Sequence, residues 1–162
     1  MSDVNDLSPE RFPCPEDYEE LLEQLRLMAG REERDLELYT FLIDQVTPQI
    51  GLQREDERFT TNRTVLRTNR DVTRRNLEIL EETYRDLTGE RIVPIRQRFI
   101  LPISYRAGLE RAIMHELNDA EIYRDMVFNL PQGNLTQVAI RLYTNTMMNI
   151  DRANFLFSRT TL

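Results

Sequence analysis

The sequence predicts an all-α protein: an antiparallel four-helix bundle with one long crossover between the second and third helices. Three observations predict it. The 162 residues include only five glycines and hold long stretches rich in Glu, Arg and Leu, which favour helix. Apolar residues recur at helical spacing along four separate segments, as one buried face requires. The connection from Gly89 to Ile103 carries Pro94 and Pro102 among β-branched residues and is therefore expected to be extended. About 15 residues at about 3.3 Å each span nearly 50 Å, the length of a bundle. The second and third helices then need not be antiparallel neighbours.

Residues 1–14, acidic and interrupted by Pro9 and Pro13, are expected to form a flexible arm, and residues 15–162 the bundle. Pro15 suits the first turn of the first helix, where a missing N–H costs nothing, and Glu16 and Asp17 complement the helix dipole. Its stripe is Leu21, Leu25, Met28, Leu36, Tyr39, Ile43 and Val46, with Glu32 in the gap; Pro48 and Gly51 end it. The second helix begins between Asp56 and Thr61 and ends at Gly89, along Leu66, Asn69, Thr73, Asn76, Leu80, Tyr84 and Leu87. The third starts near Ser104, a good N-cap, and ends before Pro131, along Leu109, Ile113, Glu116, Ala120, Tyr123, Val127 and Leu130. The fourth runs from about Asn134 or Thr136 to Arg159, along Val138 or Ala139, Leu142, Thr146, Asn149, Ala153 and Leu156.

Charge and composition exclude several functions. A net charge of −7 argues against a nucleic-acid partner, which needs a basic face. No apolar run approaches the roughly 20 residues of a membrane span. The acidic opening MSDVNDLSPE does not resemble a secretory leader, so a cytoplasmic setting is expected. All 21 basic residues are Arg, which leaves no Lys for Schiff-base chemistry. The single cysteine, Cys14, permits no intramolecular disulfide. There is no glycine-rich phosphate loop, and one histidine cannot serve a convincing Ser/His/Asp set. Glu110, Asp119, Glu121 and Asp125 are expected on a solvated acidic face of the third helix, and Arg67, Arg70, Arg74 and Arg75 on a basic face of the second. Met114, Met126, Met147 and Met148 are expected to pack.

The two halves repeat. Glu32, Tyr39, Ile43 and Val46 match Glu116, Tyr123, Val127 and Leu130 at identical offsets, and Thr73 and Asn76 match Thr146 and Asn149. A shared core period explains the apolar matches but not polar residues on the buried stripe. An ionised, unpaired carboxylate costs several kcal/mol to bury. Glu32 and Glu116 therefore need a metal between them, Arg partners, or protonation with hydrogen bonds to Thr and Asn and a raised pKa.

Glu32-Glu33-Arg34-Asp35-Leu36-Glu37-Leu38-Tyr39, its counterpart from Glu116 to Tyr123, and the tails LEILEETYRDLTG (77–89) and ANFLFS (153–158) resemble the ferritin-like superfamily, in particular its rubrerythrin-type four-helix domains, over residues 16–160. The resemblance implies a Glu from helices one and three and a Glu-x-x-His from helices two and four, together holding two iron or manganese ions. This chain instead has Thr73-Arg74-Arg75-Asn76 and Thr146-Met147-Met148-Asn149. Thr and Asn are poor ligands for those metals. His115, about 100° round the helix from Glu116, is expected at the rim or exposed. A Ca²⁺ or Mg²⁺ site needs more carboxylates than the stripe supplies. The expectation is a ferritin-like domain with vestigial site positions Glu32, Thr73, Asn76, Glu116, Thr146 and Asn149, no intact metal site, no cofactor, and a structural or partner-binding role. The alternative is an Fe or Mn oxidoreductase or iron-binding protein using Glu32 and Glu116 with atypical ligands. The resemblance implies a homodimer; another protein partner is the open alternative.

Overall fold

The computed structural model describes residues 15–46 and 57–161. The expected arm with Cys14, and the helix-ending role of Pro48 and Gly51, lie outside the described residues. Four helices account for most of them: α1 (Pro15–Gln45), α2 (Glu57–Thr88), α3 (Tyr105–Asn129) and α4 (Asn134–Ser158), followed by a short 3₁₀ turn at Arg159–Thr161. The protein is all-α, and its helices pack as a four-helix bundle. α1 packs mainly on α2 and α3 on α4, while α2 meets α4 and α1 meets α3. Among the described residues no helix is long and apolar enough to cross a membrane.

Local chemistry sets the boundaries. Ser104 caps α3, its Oγ accepting from the Ala107 N–H at 3.1 Å. Gly89 ends α2 at φ 74°, a left-handed conformation that costs glycine little, and its N–H donates to Arg85 O at 2.7 Å.

Hydrogen bonds give the pairing of the helices. Tyr18 near the start of α1 donates to Leu87 O near the end of α2, and further along α1 Tyr39 meets Asn69. Tyr39 also meets Glu116, and Tyr123 meets Glu32, so rising numbers on α1 meet falling numbers on α3.

The 89–104 segment leaves α2 beside Tyr18 and runs along α1. Ile95 N–H donates to Arg26 O at 2.9 Å, and Arg26 Nε donates to Val93 O at 2.8 Å. Ile95 passes over Gly30 so closely that a Cβ there would overlap its carbonyl oxygen. At the far end Pro102 lies near Gly108, beside Phe41 and Leu42. No strand forms at 92–95 or 98–101; the segment is extended, with helix α1 rather than another strand beneath it.

Two apolar clusters fill the bundle. One gathers Leu25, Met28, Leu80, Met126, Ala139 and Leu142; the other gathers Leu38, Leu42, Leu66, Leu109, Ala112 and Leu156. Each fully buried Leu or Met side chain among them stabilises the fold by about 1.5–3 kcal/mol. Every helix passes from one cluster to the other through a short polar stretch: 32–35, 69–76, 116–119 and 145–149. Two expectations need correction. At that height α1 buries Asp35 while Leu36 is only half-buried, because α3 lies on the Asp35 side. Met126 packs, but Met114 and Met148 are exposed, being on the outer faces of α3 and α4.

Candidate functional site: a buried carboxyl layer

All six positions singled out in the sequence are buried in the polar stretch. Glu32 is 2% exposed and Glu116 3%. Each carboxyl accepts from one phenol and one amide. Tyr123 OH donates to Glu32 Oε1 at 2.7 Å, and Asn76 Nδ2 donates to the same oxygen at 3.2 Å. On the other side Tyr39 OH donates to Glu116 Oε1 at 2.8 Å and Asn149 Nδ2 at 3.0 Å. The phenols cross between α1 and α3, and the amides come from α2 and α4. The duplicated seven-residue spacing from Glu to Tyr thus becomes a reciprocal pair of hydrogen bonds.

The amides are linked to one another. Asn145 Nδ2 donates to Asn76 Oδ1 at 2.9 Å, and Asn149 Nδ2 also approaches Thr73 Oγ1 at 3.2 Å. Asn69 Nδ2 donates to the Asn149 carbonyl at 3.0 Å and to Tyr39 OH at 3.2 Å. Thr146 departs from this pattern: its hydroxyl is fully buried and has no hydrogen-bond partner. Thr146→Val is accordingly expected to raise stability by about 1 kcal/mol in urea unfolding, because it removes a desolvated, unpaired hydroxyl. Thr73→Val, which takes an acceptor from Asn149, is expected to lower it by about the same amount.

A second pair of acids lies beside the first. Asp35 and Asp119 are buried three residues after Glu32 and Glu116. Asp119, expected on a solvated face, is 1% exposed and bound to Arg31 Nε at 2.5 Å. Asp35 Oδ1 meets His115 Nδ1 at 2.7 Å and Arg34 Nε at 2.9 Å, while its Oδ2 has no partner. His115 does stand at the rim. The residue before each Glu therefore reaches the Asp of the opposite helix: Arg31 to Asp119, His115 to Asp35. The sequence carried the signal for this, since Asp35 and Asp119 share one offset from the repeated Glu.

Burial is the main force on these acids. It pushes both Glu carboxyls well above the usual carboxylate range. For Glu32 the Glu116 charge adds to it, against a smaller opposing effect of the Tyr123 donor, and for Glu116 the Asp35 charge does, against smaller opposing effects of the Tyr39 and Asn149 donors. Asp119 is raised to about 7 by burial and the nearby Asp35 charge, which outweigh the Arg31 pair. Tyr39 and Tyr123 are held well above the ordinary phenol range, by burial first and then by the Glu each one meets. They remain neutral donors.

A pair of transition-metal ions needs lone pairs converging on it from carboxylate, imidazole or thiolate. Here two phenol O–H and two amide N–H donors are aimed at the Glu oxygens, and guanidinium or imidazole occupies an oxygen of each Asp. That donor set does not fit a dimetal centre. What the arrangement supports chemically is retention of protons on buried carboxyls and a rigid junction of four helices. Compared with known proteins, the chain matches no family model, no curated protein and no solved structure.

Proposed function

We propose that this protein is a ferritin-like, antiparallel four-helix bundle in which a hydrogen-bonded carboxyl layer stands in place of a dimetal centre, and that it serves as a structural or partner-binding module rather than an enzyme. The observation that carries this is the direction of the hydrogen bonds: at each Glu, two neutral donors fill the place where a cation would draw on carboxylate lone pairs. The helix pairing and the course of the 89–104 segment along α1 support the bundle topology. Asn and Thr at both positions where the resemblance implies Glu and His support the loss of the centre.

Anaerobic incubation with ferrous iron or with Mn²⁺, desalting and elemental analysis test it. Well under one ion per chain is expected. About two tightly held ions per chain, as a dimetal layer takes, would restore the oxidoreductase alternative.

A further inference from the structure

We propose that the groove between α1 and the 89–104 segment binds a small zwitterion, a free α-amino acid with a polar, uncharged side chain. The groove has a volume of about 440 Å³ and is lined by Gly30, Glu33, Arg34 and Glu37 of α1 and by Arg96 and Gln97 of the segment. That is room for one small molecule, since small-molecule pockets run from roughly 300 to 1,000 Å³. Hydrogen bonds and close contact fix its two walls relative to each other. Ile95 N–H donates to Arg26 O at 2.9 Å, the Ile95 carbonyl lies against Gly30, and Gln97 Nε2 donates to that carbonyl at 3.0 Å. A groove already held in shape spares a ligand the cost of ordering it.

Charge selects the ligand. The groove holds two carboxylates and two guanidiniums that are not paired across it. Glu33, Glu37 and Arg96 are exposed, and none of them forms an ion pair with another described residue. Arg34, its side chain 11% exposed, bonds Asp35 through Nε at 2.9 Å, while its Nη2 is buried and has no acceptor. A buried donor without an acceptor is costly, and a ligand carboxylate in the groove supplies one. Arg96 adds a second guanidinium for that carboxylate, and Glu33 and Glu37 supply acceptors for an ammonium group. A net anion such as phosphate would be repelled by the two Glu, and a polyamine or metal ion by the two Arg. A molecule carrying both charges is attracted by all four groups, and an α-amino acid carries them on one short skeleton. Occupancy of the groove is measured apart from metal content of the layer, so this proposal and the functional one fail separately.

Titration of the isotope-labelled full chain with glutamine, followed by NMR, is the test. Saturable shifts are expected at the amides of Gly30, Glu33, Arg96 and Gln97 and at Arg34 Nε, half-complete on the order of 1 mM and weakened by raised salt. The decarboxylated analogue of glutamine, which lacks the carboxylate, and the deaminated analogue, which lacks the ammonium, are each expected to bind about tenfold more weakly. Arg96→Gln and Glu37→Gln are each expected to weaken glutamine binding about tenfold with unchanged helical circular dichroism, because both side chains are exposed. Glu121→Gln, on an exposed site of α3, leaves binding unchanged. No saturable shift at these residues in about 100 mM glutamine, equal binding of either analogue or of inorganic phosphate, or full binding by both groove variants would each overturn the zwitterion site.

Discussion

Replacing both layer acids, Glu32→Gln with Glu116→Gln, is expected to stabilise the protein at pH 8 and to leave it nearly unchanged at pH 4. In the unfolded chain a Glu releases its proton near pH 4.3. In the fold, burial holds both carboxyls protonated to higher pH. A raised folded-state pKa contributes stability that is fully present below the unfolded value and is lost as pH rises through the folded one. Above about pH 4.3 folding therefore takes up protons, and stability falls with pH by about 1.4 kcal/mol per unit for each proton taken up. Gln removes the titration but keeps the geometry: its amide oxygen accepts from the same Tyr and Asn donors. The variant retains a shallower slope from Asp119, whose window runs from its unfolded value near 3.9 to about 7. Urea unfolding from pH 4 to 8 measures both slopes. Parallel curves for the two proteins would show that the Glu pair does not hold its protons.

Gly30→Ala is expected to lower stability by a net of about 2 kcal/mol, although Ala is worth about 1 kcal/mol more than Gly inside a helix. The new methyl would overlap the Ile95 carbonyl, which is backbone and cannot rotate aside. Pushing it away strains the neighbouring bonds, Ile95 N–H to Arg26 O and Arg26 Nε to Val93 O. Overpacking of this kind costs about 3 kcal/mol. For a domain of this size the net loss lowers the melting temperature by about 4–8 °C. Gly108→Ala makes the comparison: a methyl there meets Leu42 Cδ2 at 2.7 Å and Phe41 Cε1 at 3.2 Å, side-chain atoms that can move. It is expected to cost less. A Gly30→Ala protein as stable as wild type would mean that the 89–104 segment does not lie on α1 as described.

The helices were legible in the sequence because their signals agree: Ser104 and Gly89 at the ends, and a 3.6-residue period between them. The layer was legible because duplicated polar residues on an apolar stripe have no packing explanation. Asp35 and Asp119 were not found. Three residues after a Glu lies about 60° back round the helix, at the edge of a narrow stripe, and on α1 the apolar Leu36 offered a better-looking core residue. Only the placement of α3, with His115 and Arg31 reaching across, decides that the acids are inside. Residues 92–101 are extended without being a strand: β-branched side chains report an extended backbone, not whether a neighbour exists to pair with it.

If Glu32 and Glu116 are neutral members of the hydrogen-bonded layer, their carboxyls titrate above the ordinary Glu range. Carbon-13 titration of the two side-chain carboxyls, assigned through the single Gln variants, measures this directly. At least one carboxyl titrating well above pH 4.3 is the predicted result; both titrating near pH 4.3, as solvated Glu residues do, would contradict it.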